Sequence, residues 1–214
     1  MKILAVDTTS NICSTALLED EIKIDENTIN NGLTHSENLM PLVQELLERN
    51  KINLDEINLI AICVGPGSFT GIRIGIASIK AMAEVYNIPI AQVTSLEALA
   101  KASKNNETIV SLIDARNNQV YAGVFDSKIN LKQEYMADDI NLILENIEKY
   151  ENISFIGNGA ILHKELIEKK IKNPIFNEIN EQNSFFVGLC GFEKFKNNDL
   201  KDADTIFPIY LRKR

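Results

Sequence analysis

The run VGPGSFTGIRIG (64–75) holds four of the chain's ten glycines and follows the apolar stretch INLIAICV. A glycine-rich turn between a strand and a helix can cradle phosphate, because backbone N–H groups approach the anion where no side chain intervenes. A Walker loop needs a Gly-Lys-Ser/Thr end, yet Gly71 is followed by Ile72 and Arg73 and the nearest lysine is Lys80. A dinucleotide fingerprint needs G-x-G-x-x-G, and Gly65, Gly67 and Gly71 are spaced one residue too wide. Two further turns offer phosphate chemistry. DTTSN (7–11) presents Asp7 with the hydroxyls of Thr8, Thr9 and Ser10, and DARNN (114–118) presents Asp114 and Arg116 without a glycine. Each also reads as an ordinary polar hairpin turn.

Metal and nucleophile chemistry is poorly supplied. The two histidines, His35 and His163, rule out a three-histidine zinc site, and the residue four after His35 is Leu39. No G-x-S-x-G elbow is present. Cys13, Cys63 and Cys190 are far apart in apolar surroundings, which reads as buried thiols in a reducing compartment. A formal charge of −8 argues against a free-standing nucleic-acid binder, and the one basic cluster is the terminal LRKR (211–214). No apolar run reaches membrane-spanning length and no secretory signal opens the chain, so the expected location is cytoplasmic.

Periodicity supplies the elements that would position these residues. Strands are predicted at 2–6, 13–19 and 21–28, then a helix over HSENLMPLVQELLERN with Leu39, Leu42, Val43, Leu46 and Leu47 on one face. Thr34 and Glu37 form a capping-box pattern, and Pro41 is expected to kink or restart this helix. Strand 59–64, helix 70–87, strand 89–94 and helix 95–103 follow. The second half repeats the plan: Asp7 precedes Cys13 by six residues as Asp114 precedes Val120, and GNGA (157–160) answers GPGS (65–68). A helix 138–150, a strand at 153–157 and a helix 161–172 complete it. The chain is therefore expected to be α/β, two diverged βββαβα lobes divided at the charged KASKNNE into residues 1–105 and 106–214, with the C-terminal segment a candidate to pack back on the first lobe. A repeated lobe whose first strand ends in an acid resembles the actin, sugar-kinase and Hsp70 superfamily, an RNase H-like fold.

Helix 70–87 carries Gly71, Gly75, Ser78 and Met82 along one seam. Glycine inside a helix costs roughly 0.5–1 kcal/mol against alanine, so something must offset it. Close packing within the chain is one explanation, and a seam approached by another molecule's helix is the other. On the second, this helix and helix 35–50 meet two helices of a partner, and Gly75→Leu is expected to block docking while sparing the fold.

ILAVDTTSN, HSENLMPLVQELL, VGPGSFTGIRIGIASIKAMA, IPIAQVTSLEALA, DARNNQVYAG and PIYLRKR together closely resemble the bacterial TsaB (YeaZ) family of tRNA threonylcarbamoyladenosine biosynthesis, most strongly in the first lobe. The resemblance implies a non-catalytic dimerisation subunit without catalytic or metal residues. It implies binding to the catalytic paralogue TsaD, recruitment of the ATPase subunit TsaE, contact with tRNA only through the complex, and homodimerisation when alone. The paralogue carries His-x-x-x-His in the matching helix; here His35 remains and Leu39 replaces the second histidine. The expected partner interface is His35, Leu39, Val43, Leu46, Gly71, Ile74, Gly75, Ser78 and Met82. A vestigial phosphate site is expected at Asp7, Thr8, Ser10, Asp114 and Arg116, with no cofactor beyond weak ATP or ADP binding. A small-molecule kinase or ATPase of the same fold and a peptidase-like metalloenzyme remain as alternatives.

Overall fold

The computed structural model describes residues 1–31, 34–104 and 108–211. In the first lobe β1 (Lys2–Asp7), β2 (Cys13–Glu19), β3 (Ile22–Ile29), β4 (Leu59–Cys63) and β5 (Ile90–Val93) form one sheet in the order β3-β2-β1-β4-β5. β1–β2 and β2–β3 are antiparallel, whereas β1–β4 and β4–β5 are parallel. Helix α1 (His35–Arg49) opens with the Thr34 N–H donating to the Glu37 carboxylate at 3.0 Å. It runs through Pro41 as one helix, with no restart. The single hydrogen bond that proline forfeits is outweighed by burial of Leu39, Leu42, Val43, Leu46 and Leu47. Helix α2 (Phe69–Tyr86) begins with Ser68 Oγ accepting from Gly71 N and ends on Asn87 in the left-handed conformation. Helix α3 (Ser95–Ala102) follows β5.

The second lobe repeats this pairing. β6 (Thr108–Asp114), β7 (Gln119–Phe125), β8 (Leu131–Asp139), β9 (Ile153–Ile156) and β10 (Ile175–Phe176) lie in the order β8-β7-β6-β9-β10. Antiparallel and parallel pairs fall at the same places as in the first sheet. Helix α4 (Ile140–Ile147) buries Ile140, Ile143, Leu144 and Ile147 behind its Asp139 cap. The predicted helix 161–172 is instead two, α5 (Asn158–Leu162) and α6 (Lys164–Lys170), parted at His163. Its start moves three residues earlier because the turn at Gly157, with φ +106°, launches the helix directly; Gly65 holds φ +103° in the matching turn of the first lobe.

A last helix, α7 (Ser184–Lys196), was not legible from periodicity and returns to the first sheet. One face of that sheet packs Leu4, Val6, Leu17, Ile60 and Ile62 against α1 and α2. The other packs Ile3, Ala5, Leu18, Leu59 and Ala61 against Val187 and Cys190 of α7. Burial on both faces explains why the strands read as continuous apolar runs. The chain accordingly divides into residues 1–98 with 182–209, and 99–181 with 210 onward. The boundary thus falls inside α3; the expected division at 105/106 touches residues 105–107, which lie outside the described ones.

Candidate functional site

The strand-end turn of the first lobe is enclosed. Asp7, Thr8 and Thr9 are at most 1% exposed. Asp7 Oδ1 accepts from the Thr9 backbone N–H at 2.8 Å and from Thr9 Oγ1 at 2.7 Å, so the first N–H a phosphate would seek is taken from within. The Thr9 carbonyl accepts from Ser68 N at 2.7 Å, and Thr8 Oγ1 donates to the Gly71 carbonyl at 2.8 Å. A Cβ on Gly67 would collide with the Thr9 carbonyl, and one on Gly71 with the Thr8 carbonyl. A Cβ on Gly75 would strike Thr8 Oγ1. From the other side His35 Nε2 donates to the Ser10 carbonyl at 2.8 Å, which sets the tautomer of that ring and ties the start of α1 to the same turn. The glycine-rich run thus holds the turn through its own helix, with the Asp7 and Thr8 side chains buried beneath it.

The matching turn in the second lobe is open. Arg116, Asn117 and Asn118 are exposed, and all three adopt positive φ, 66°, 52° and 59°. The structure brings Asp114 and Arg116 together, but through the backbone: Asp114 Oδ1 accepts from Arg116 N at 2.9 Å. Asp114 N donates to Asn158 Oδ1 at 3.0 Å, and Ala115 N to the Gln119 carbonyl at 2.9 Å.

Most of the expected interface residues point inward. Leu39, Val43, Leu46 and Met82 lie in the core between α1, α2 and the sheet. Gly71 and Gly75 face Thr8, so the close approach that glycine allows is made within the lobe, to a strand-end turn and not to another molecule's helix. Gly75→Leu would therefore break the lobe before it tested docking. His35, Ile74 and Ser78 stay half-exposed. The helix carries two small-residue rows, and the outward one is Thr70, Ala77 and Ala81 with Val85, flanked by Ile74 and Ser78. At its start the Arg73 guanidinium stacks on the exposed Phe69 ring, 3.8 Å from the centroid. Farther along α2, Met82 joins Met40, Pro41 and Leu47 of α1 and Ile52 in lining an apolar groove of about 680 Å³.

None of the three cysteines is in a disulfide, and all are buried. Burial pushes the Cys13 thiol up to about 11 and the Cys63 thiol well above its ordinary value, so neither is a ready nucleophile. Among the described residues no group of three or more His, Cys, Asp or Glu is placed to hold a metal, and no helix is long and apolar enough to cross a membrane. The basic end at 212–214 lies outside the described residues.

The tRNA threonylcarbamoyladenosine biosynthesis protein TsaB of Bacillus subtilis is 31% identical to this chain, covering 99% of it and 94% of the relative. The chain belongs to the TsaB family. TsaB of Haemophilus influenzae is 26% identical, over 97% of this chain and 81% of that protein. Residues 30–197 also match the family model described as TsaD, tRNA N6-adenosine threonylcarbamoyltransferase. The solved structure of YeaZ from Pseudomonas aeruginosa superposes with a TM-score of 0.83 at 24% identity, covering 98% of this chain and 99% of that one. An activator of 2-hydroxyisocaproyl-CoA dehydratase from Clostridium difficile, solved with bound ADPNP, shares the fold at TM-score 0.59 and 10% identity. The two-lobed actin-like fold and a part in tRNA threonylcarbamoyladenosine biosynthesis follow for this TsaB-family chain.

Proposed function

We propose that this chain is a non-catalytic subunit of tRNA threonylcarbamoyladenosine formation that binds a TsaD-type transferase through the outward faces of α1 and α2. The observation that carries the reading is the enclosed first turn, where Asp7, Thr8 and Thr9 are buried and the chain's own Gly67, Gly71 and Gly75 pack closely against Thr9 and Thr8. A lobe so filled supports docking better than turnover, and any nucleotide contact is left to the open second turn at Asp114 and Arg116. The docking side is supported by the weakly polar row on α2, the Phe69–Arg73 stack and the apolar groove between α1 and Met82, since aromatic and arginine anchors and apolar surface are what protein interfaces favour. Recruitment of a TsaE-type ATPase, tRNA contact by way of the complex, self-pairing through the same face in the partner's absence, and a cytoplasmic location belong to this proposal.

The test is reconstitution of the modification with a TsaD-type transferase, a TsaE-type ATPase and tRNA, with and without this chain. Dependence on the chain, with no threonylcarbamoyl transfer or phosphate release by the chain alone, supports the proposal. Modification that proceeds equally without it, or phosphate release by the chain alone that is lost in Asp114→Ala, overturns it.

A further inference from the structure

Asp7 ends β1 with its two carboxyl oxygens in unlike surroundings. Oδ1 takes both Thr9 donors, while Oδ2 is equally enclosed and has no hydrogen-bond partner. An ionised carboxylate needs donors at both oxygens, and half a charge left without one in a sealed site costs far more than one unmade hydrogen bond.

The surrounding donors are aimed one way. Ser95 Oγ donates to Thr9 Oγ1 at 3.1 Å, and Thr9 Oγ1 donates on to Asp7 Oδ1. With the Ser95 proton used, the Cys63 thiol, 3.2 Å from Ser95 Oγ, is the donor in that pair. Cys63, Ser95 and Thr9 thus form a buried relay that ends on Oδ1 and leaves Oδ2 to a proton of its own. The titratable groups facing Asp7 are Cys63 on β4, Cys13 on β2 and His35 at the start of α1. The two thiols are neutral, and only a charged His35 would draw Asp7 towards ionisation. Burial outweighs that pull and the two Thr9 hydrogen bonds to Oδ1, holding the carboxyl above its ordinary range.

We propose that Asp7 is carried as a neutral carboxylic acid in the folded chain, and that its proton is the latch that keeps the 7–10 turn closed beneath α1 and α2. Loss of that proton to solvent leaves a charge with no donor on Oδ2, and opening the turn to water relieves it. The same turn holds His35 of α1 through the Ser10 carbonyl and Gly71 of α2 through Thr8, so both helices loosen together. The latch does not depend on the proposed function; only its effect on docking does.

The test follows the carbon-13 shift of the Asp7 carboxyl in the full chain from about pH 5 to about pH 9, beside thermal melts of wild type and Asp7→Asn, which mimics the neutral acid. The expected result is an Asp7 carboxyl still in its protonated position at neutral pH when the other aspartates have ionised. The wild-type midpoint should also fall relative to Asp7→Asn as pH rises, because the unfolded chain releases the proton that the folded chain retains. An Asp7 carboxyl already ionised at neutral pH, or melting midpoints that run parallel across the range, overturns the latch. If Asp7→Asn does not fold, the carboxyl shift of the wild type decides alone.

Discussion

Thr8 and Gly71 are joined in both directions: the Thr8 hydroxyl donates to the Gly71 carbonyl at 2.8 Å, and the Thr8 carbonyl stands where a Gly71 Cβ would be. Gly71→Ala must move backbone, and is expected to destabilise the chain by about 3 kcal/mol or more despite the better helix propensity of alanine. Gly75→Ala meets the Thr8 hydroxyl instead and should cost about 1–3 kcal/mol. In a Thr8→Ala background that second cost should shrink below about 1 kcal/mol, a coupling that a double-mutant cycle by urea denaturation measures. Additive costs would place the Gly75 contact elsewhere.

The two rows on α2 show what sequence could and could not give. The period of 3.6 predicts α2 to be buried over most of its circumference, whereas only the face of Gly71, Ile72, Gly75, Ile76, Ile79, Met82 and Ala83 is buried; duplication of the βββ units is visible in the six-residue spacing after Asp7 and Asp114. Neither fact says which small-residue row meets the sheet, since Gly71–Gly75 and Ala77–Ala81 are both close-packing surfaces. The choice is made by Thr8, sixty-three residues away from Gly71 in sequence. Helix α7 is hidden for a related reason: SFFVGLCGFEKF buries small residues, half-buries Phe185, Phe186 and Phe192 and exposes Phe195, so no clean apolar stripe emerges. The enclosure of Asp7 was equally hidden, because an acid in a polar run looks the same whether a helix covers it or not.

Ala81 lies on the outward row of α2. Ala81→Arg should leave the melting midpoint of the isolated chain within the range of a surface change, about 0.5 kcal/mol. It should also abolish co-elution with a TsaD-type partner in size-exclusion chromatography. Retained co-elution would move the docking face off α2.

Lys194 of α7 lies 3.2 Å from Glu97 of α3 and 3.5 Å from Asp199. Burial pulls the Lys194 ammonium down, and the two carboxylates outweigh it, holding it above its ordinary value. This contribution is fully present below the unfolded lysine value of about 10.4 and is lost as pH rises through the folded one. Lys194→Met should cost about 1 kcal/mol at neutral pH, with the difference from wild type closing in strong alkali. A gap that persists there would assign the loss to packing.

At the edge of the same sheet, Asp25 Oδ2 accepts from Arg49 Nε at 2.7 Å and from Asn50 Nδ2 at 2.8 Å. The hydrogen bond from Arg49 foremost, then that from Asn50, holds the Asp25 carboxyl below its ordinary range. Its contribution is present above the unfolded value of about 3.9 and is lost as pH falls through the folded one. Asp25→Asn should therefore lower the acid-side melting midpoints less than the neutral ones, as a pH series of calorimetric melts would show.

The strands of the first sheet leave the ribosome early, and α7, which covers their second face, leaves it after every strand of both sheets. Until residues 182–209 emerge, Ile3, Ala5, Leu18, Leu59 and Ala61 have no helix to lie against. The strands of the second sheet run from 108 to 176 without a return to an earlier segment. Synthesis order and completion order are thus reversed for the two sheets: the strands made second are all present before the helix that covers the first sheet. A premature stop before Ser184 would spare all five strands of the second sheet and leave the first, uncovered on its second face, as the part that proteases find.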